Sequence, residues 1–302
     1  MLPQEQGTAR SPDEQSLGET CFPSVNGLLS SSSSARSSSD GSLEGKHGPS
    51  VTELPSRAPT TWEYLNATVK PSSLAEVELL LLTFCIGLQD AVSFPDFHCF
   101  ASNQTGNTIF LTLAIVLPKL NGEMFVTANI GVALGLFLAA AYLTGQLGHV
   151  VGPRRRLWLI FCNLVQTCLV FGAAALQYTR GIELEGTRTM LAIGLLAFAA
   201  GSQVVQSRSL GMTEISTAMA TAAWVDLVID PNLLSGGNRP RTRRVAFLAT
   251  LVVGSLAGAL IYRTVGSAAA LAVSGAGKLL VTLMFLFNTT EQERLETGKD
   301  SA

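Results

Sequence analysis

The run FVTANIGVALGLFLAAAYLTGQLGHV, Phe125 to Val150, contains no formally charged residue. As a helix it would rise about 39 Å, more than the roughly 30 Å hydrocarbon core of a bilayer. A surface helix of a soluble domain needs a charged or polar face opposite its apolar one, and no charged face exists here. Four further stretches read the same way: Leu157 to Thr179, Thr189 to Ser207, Val245 to Tyr262, and Ser267 to Phe287, which holds the single lysine Lys278. A sixth, Leu74 to Phe94, starts with Glu76 and Glu78 and carries Asp90 near its far end.

Composition agrees with lipid rather than water as the surrounding medium. The 302-residue chain is 47% apolar and 14% charged, against about 25% charged in soluble domains. Residues 1–70 hold 13 of the 42 charged side chains and the last fifteen hold 6, leaving 23 for Pro71 to Phe287. So sparse a charge cannot solvate a soluble surface, which argues against a soluble enzyme. The net charge of −2 provides no basic footprint for nucleic acid. Cys21, Cys85, Cys99, Cys162 and Cys168 show no paired spacing, so a disulfide scaffold is not expected.

Residues 1–60 are polar and turn-rich, with eight serines between Ser30 and Ser39. They cannot bury enough apolar area to offset their ordering entropy, so a disordered tail over 1–70 is expected. Met1 to Gly18 has no apolar core of a signal peptide, and the first membrane segment is expected to direct insertion. A short polar tail, 288–302, closes the chain.

Two shorter apolar stretches, Thr105 to Leu117 and Thr213 to Ile229, remain to be placed. Cytoplasmic loops collect Lys and Arg, and Arg154-Arg155-Arg156 and the run Arg239 to Arg244 are the two basic loops. Two long spans plus 213–229 lie between them. Both loops share a side only if 213–229 does not cross. The same logic applied to 105–117 yields an all-α integral membrane protein with six spans, two short non-crossing helices and both termini in the cytoplasm.

The two halves of the membrane domain, about 74–179 and 189–287, repeat one order: long, short, long, long. Gly87-Leu-Gln89 near the end of the first long segment matches Gly201-Ser-Gln203 in the second half. Thr105-Gly106-Asn107 opens one short helix, and Thr221-Ala222-Ala223 stands in a similar place in the other. Gly131-x-x-x-Gly135 is echoed by Gly254-x-x-x-Gly258. Three crossings per half invert the second copy relative to the first, an arrangement common in secondary transporters.

The stretch Gly87-Leu-Gln-Asp90-Ala-Val-Ser-Phe94, then Phe100, then Asn103-Gln-Thr105-Gly106-Asn107-Thr108, resembles the YoaK-like family of uncharacterised membrane proteins, domain of unknown function 1275. Gly201-Ser-Gln203-Val-Val-Gln-Ser-Arg208 with Thr217 to Asp226 looks like the second copy in that family's fungal form. The resemblance covers about residues 74–287. It implies a polytopic membrane protein and no particular activity, although transport is commonly guessed for the family. Thr221-Ala222 stands where a Thr-Gly pair would be expected.

Few residues can carry chemistry in such a chain. Asp90 and Lys278 are ionisable groups inside apolar segments, where a charge costs about 2.5–3.5 kcal/mol and normally faces a partner or a wet cavity. Asp90 is a candidate proton carrier, cation ligand or structural counter-ion. Lys278 is a candidate ligand for an anionic solute, or the partner of Asp90 or Asp226. Asn103, Thr105, Gly106 and Asn107 form a polar cluster at a helix start, suited either to capping or to cradling a polar solute. Gln89, Gln203 and Thr221 occupy repeat-related positions and either line a pocket or bond between helices. The glycine pairs Gly131/Gly135 and Gly254/Gly258 are candidates for close helix packing, within one chain or in a homo-oligomer. Whether Asp90, Gln89, Thr105, Asn107, Gln203 and Lys278 line one cavity discriminates these readings; scattered positions weaken the site.

Asp96, His98 and Cys99 crowd one loop without a second ligand cluster, so no metal is expected, and no cofactor. The sequons at Asn66, Asn103 and Asn288 are expected to stay unmodified. No Gly-x-Ser-x-Gly and no His-Glu-x-x-His occurs, so an enzyme is not expected. The leading reading is a transporter of a small solute, proton-coupled through Asp90. The alternative is a non-catalytic membrane scaffold or accessory protein that recruits partners through its serine-rich tail.

Overall fold

The computed structural model describes residues 60–181 and 183–288. Within them the elements are α1 (Thr61–Asn66), α2 (Ser73–Phe97), α3 (Gln104–Val116), α4 (Thr127–Val151), α5 (Arg156–Arg180), α6 (Thr187–Ser209), α7 (Ala220–Val228), α8 (Arg239–Thr264) and α9 (Ser267–Met284), with two short 3₁₀ turns and no strand among the described residues. Six of them, α2, α4, α5, α6, α8 and α9, are long and apolar enough to cross a membrane, and the chain is a multi-pass integral membrane protein. With 13 and 9 residues, α3 and α7 extend only about 20 Å and 14 Å, too short to cross.

Several boundaries differ from the sequence reading. The second short helix is not 213–229 but Ala220–Val228, because 211–219 forms an irregular loop in which Thr217 adopts φ 58°. The arginine run 239–244 is not a loop: Asn238 accepts from the Arg241 N–H at 3.1 Å and caps α8, so the arginines form its first turns. Of the tail expected over 1–70, the structure describes residues 60–70. Thr60 and Glu63 form a reciprocal capping box that starts α1, and Val69 is fully buried. The Glu63 carboxyl is held below the usual carboxylate range, chiefly by the Thr60 backbone N–H. The rest of that tail, with its serine run, and residues 289–302 lie outside the described residues.

Helix α1 is tied to the membrane domain through Arg156. This side chain is fully buried, donates to Tyr64 O at 3.0 Å and to Asn288 O, and lies 3.6 Å over the Tyr64 ring. Asn288 in turn donates to both oxygens of the buried Glu78. Arg156→Leu is expected to cost about 2–4 kcal/mol, since two charge-assisted hydrogen bonds and a cation–π contact vanish together. Protease cleavage around residues 60–66 in the detergent-purified protein should accelerate accordingly.

The helix pairings reproduce themselves when the halves are exchanged. Helix α2 packs on α8 and α9, and α6 packs on α4 and α5. Helix α3 rests on α4, α7 rests on α8, and α5 meets its own counterpart α9. The halves are therefore interleaved: the first helix of each lies against the third and fourth of the other. They also run in opposite senses. The α2–α3 turn meets the α5–α6 loop, where Asn129 donates to both Phe97 O and Leu184 O. The α6–α7 turn lies at the other end, where Arg154 donates to Ser209 O and Leu210 O.

Close approach of these interleaved helices depends on missing side chains. A Cβ on Gly254 would lie 2.5 Å from Phe84 O, one on Gly258 2.9 Å from Leu88 Cα, and one on Gly87 2.7 Å from Leu251 O. Gly201 meets the Phe137 backbone in the equivalent α6–α4 crossing. Gly131 and Gly135 do not serve as packing surfaces within the chain: they are exposed, and a Cβ added at either would meet nothing within 4 Å.

The interior is layered. One apolar cluster gathers Val92, Phe97, Phe125, Val170, Ile193 and Leu271. A second, at the arginine-rich end, gathers Leu79, Leu82, Leu159, Leu210, Phe247 and Val281. Along α2, α5, α6 and α9 the buried residues between these clusters turn polar: Gln89; Asn163, Gln166 and Thr167; Ser202, Gln203 and Gln206; Ser274 and Lys278.

Candidate functional site

Lys278 is the centre of that polar layer. It is fully buried, and its Nζ donates to Gln166 Oε1 at 3.1 Å and to Gln203 Oε1. Each glutamine is held by its own amide nitrogen: Gln203 donates to Leu82 O at 3.1 Å, and Gln166 to Ser202 Oγ at 3.1 Å and Gln206 Oε1 at 3.0 Å. Gln206 donates to Leu159 O at 2.8 Å. Asn163 donates to Lys278 O at 2.8 Å and Thr282 Oγ1 at 2.9 Å. On the α2 side, Gln89 donates to Ser274 Oγ at 2.8 Å, and Ser274 donates to Cys85 O at 3.0 Å.

Two electrostatic features follow. No carboxylate lies within ion-pair distance of Lys278 among the described residues. Neither Asp90 nor Asp226 is its partner: the Asp90 carboxylate, on α2, accepts from Ser102, and Asp226, on α7, lies 3.8 Å from Arg244. Secondly, Gln89 Oε1 and Asn163 Oδ1 are buried acceptors with no hydrogen-bond partner among the described residues. A buried cation without an anion, near acceptors without donors, is costly unless something completes it.

The other expected site residues are not brought to this layer. Asp90 accepts from the Ser102 N–H at 3.1 Å and the Ser102 Oγ–H at 2.5 Å, fastening the α2–α3 loop. Asn107 is fully buried and clamps the same loop, accepting from the Phe100 N–H at 2.9 Å and donating to Phe100 O at 2.8 Å. Asn103 caps α3 by accepting from the Gly106 N–H at 3.3 Å. Gly106 lies against the Phe100 ring, which a Cβ would meet at 3.0 Å, so its smallness serves an aromatic neighbour. Thr105 and Thr221 are exposed. Asp226 lies 3.8 Å from Arg244, at the opposite end from Asp90. Of Asp90, Gln89, Thr105, Asn107, Gln203 and Lys278, only Gln89, Gln203 and Lys278 share the mid-bundle layer.

Gln166, which accepts from the Lys278 ammonium, and Asn163, which donates to its carbonyl oxygen, are not among the residues that the sequence reading singles out. Their signal was present: Asn163, Gln166 and Thr167 recur at helical spacing on one face of an otherwise apolar span. In the crowded loop, His98 ends α2 in the left-handed conformation at φ 50°, and burial pushes the Cys99 thiol up to about 12.

The two short helices differ in their surroundings. Against α3, Phe94 stacks on Phe100 at 5.0 Å and on Phe110 at 5.9 Å, and Phe110 stacks on Phe125 at 6.0 Å. Against α7 there is instead a cavity of about 390 Å³. Neither this cavity nor a smaller one beside Phe97 and Gln177 is lined by Lys278.

The model of a family described as "Protein of unknown function (DUF1275)" matches residues 79–284. No curated protein and no solved structure matches the chain.

Proposed function

The chain belongs to the DUF1275 family of proteins of unknown function, and from that premise we propose that it is a secondary transporter of a small solute bearing an anionic group. The observation that carries this reading is Lys278: a cation in the middle of the bundle whose ammonium, among the described residues, is bonded to neutral amides alone. The insertion cost of such a charge is about 2.5–3.5 kcal/mol, and it is offset when an anion reaches it. The free acceptors of Gln89 and Asn163 provide places for a solute's hydroxyl or amine donors. Interleaved inverted halves supply a way to expose one layer to either side in turn, by rocking one half against the other. Lys278 would then be sealed in one arrangement and reached by water in another.

Asp90 takes the proton-coupling role in this reading, acting from α2 on the α2–α3 loop through Ser102 rather than by contact with Lys278. Its protonation would turn one of the two acceptor oxygens that fasten the loop into a hydroxyl. Self-association through small residues would run along the open Gly131/Gly135 face of α4, since Gly254 and Gly258 are spent inside the chain.

Purified protein in liposomes, challenged with a panel of small carboxylates, phosphates and zwitterions, tests the proposal. Flux of an anionic member is expected, with an imposed proton gradient accelerating it. Asp90→Asn should leave the solute-induced thermal shift in place and abolish the gradient's effect. No flux across the panel, in protein whose melting is intact, would count against transport.

A further inference from the structure

The cavity behind α7 has a chemistry of its own. Met212, Ile215 and Met219 form its apolar wall, and Arg208 and Arg244 bring two guanidinium groups to it. Neither guanidinium is fully used. Arg208 has one side-chain partner among the described residues, the Met219 thioether at 2.8 Å. Arg244 lies 3.5 Å from Asp230 and 3.8 Å from Asp226, and its buried Nε has no hydrogen-bond partner among the described residues. Two carboxylates also line the cavity: Glu214, which is drawn to Arg243 at 3.5 Å, and Asp226, which faces Arg244. Asp230, outside the lining, divides itself between Arg244 and the Asn232 N–H and Asn238 amide, from which it accepts at 2.9 Å and 3.0 Å. Those bonds, the Asn232 backbone first, hold the Asp230 carboxyl below the usual carboxylate range.

Position selects the ligand's source. Trp224, Val228, Ile229 and Leu234 around α7 are exposed, Leu234 almost completely, at the same end as the arginines. A short helix with an exposed apolar face and a tryptophan, beside clustered arginines, suits the headgroup level of a bilayer. The 211–219 loop, which lines the cavity with Met212 to Ser216 and Met219, is strained beside it, since Thr217 is buried and β-branched yet adopts φ 58°. Such conformations persist where the surroundings impose them, and they cluster at ligand clamps. In the other half of the repeat the equivalent space is closed by stacked phenylalanines.

We propose that the α7 cavity binds the phosphate of a lipid headgroup, with Arg208 and Arg244 on the phosphate and the methionine wall against the start of the acyl chains. Guanidinium groups match phosphate oxygens in pairs, and basic pockets between membrane helices are known lipid-headgroup sites. The site is distinct from the Lys278 layer, so either can fail without the other.

Native mass spectrometry of the full chain released from detergent, with added phosphatidic acid or phosphatidylcholine, reads this directly. One phosphatidic acid per chain is expected to be retained in preference to phosphatidylcholine. Retention should fall about tenfold or more in the double variant Arg208→Gln/Arg244→Gln, as expected when charge-assisted hydrogen bonds are lost. Ala222→Phe, which fills the cavity and keeps both arginines, should produce the same loss at an unchanged melting temperature. Equal retention by all three proteins overturns the site. Displacement of the lipid by inorganic phosphate at comparable concentration overturns the lipid assignment in favour of a free phosphate.

Discussion

Lys278→Met is expected to abolish the proposed solute flux and solute-induced thermal stabilisation while leaving the protein folded. Two charge-assisted hydrogen bonds disappear, each worth about 1.5–3 kcal/mol, and the acceptors of Gln166 and Gln203 lose their donor. Against this, a buried charge costing about 2.5–3.5 kcal/mol disappears too. The opposing changes largely offset each other, so the unfolding free energy should fall by no more than about 3.5 kcal/mol. Methionine keeps the length of the lysine stem and fits an irregular space, so no large cavity is left. A structural lysine would show that stability change and no other effect. Measurable transport by Lys278→Met, at rates near those of the unaltered protein, would remove Lys278 from the pathway.

Gly254→Leu is expected to prevent assembly of the membrane domain. The Cβ alone would sit 2.5 Å from Phe84 O and 3.0 Å from Phe84 Cα, both backbone atoms that no rotamer change can move. Forcing α2 and α8 apart would also strip Gly87 and Gly258 of their fits, since all three glycines line one crossing. Overpacking costs about 1–3 kcal/mol where side chains yield, and more is expected where backbone must shift along a whole helix. The informative control is Gly131→Leu, an equally large change at a glycine with nothing within 4 Å. Yield of monodisperse protein in mild detergent should collapse for Gly254→Leu and remain for Gly131→Leu. Equal behaviour of the two variants would mean that the α2–α8 crossing is looser than its geometry indicates. Loss of a dimer in Gly131→Leu alone would identify α4 as the self-association face.

The contrast between those glycines marks where sequence reading stops. Gly131-x-x-x-Gly135 and Gly254-x-x-x-Gly258 are identical as motifs, yet the second pair is pressed against α2 and the first is open. Helical spacing says which residues share a face. It does not say what that face meets. The polar residues behave alike. Gln89, Gln203 and Lys278 were legible as apolar-segment outliers, and they do share a layer. Asp90 and Asn107 looked equally like site residues, but their side chains satisfy the backbone of the α2–α3 loop. Arg156 read as one of three loop arginines and is instead buried against Tyr64. Local hydrogen bonding and burial at chain turns depend on neighbours distant in sequence, so no window of residues contains them.

What the amino-acid order determined by itself is the solvent of the fold and its element order. A chain with one charge in nine over two hundred residues must place its long helices in lipid, because water would not cover them. Segment length then separates the six spans from the two short helices. Only the tertiary structure decided that the halves interleave, that Asn163 and Gln166 join Lys278, and that one short helix rests on stacked rings while the other shelters a cavity. In a bilayer every apolar face is equally content against lipid or protein, so hydrophobicity cannot choose partners. Shape and a few buried hydrogen bonds choose them, and both exist only once the helices have met.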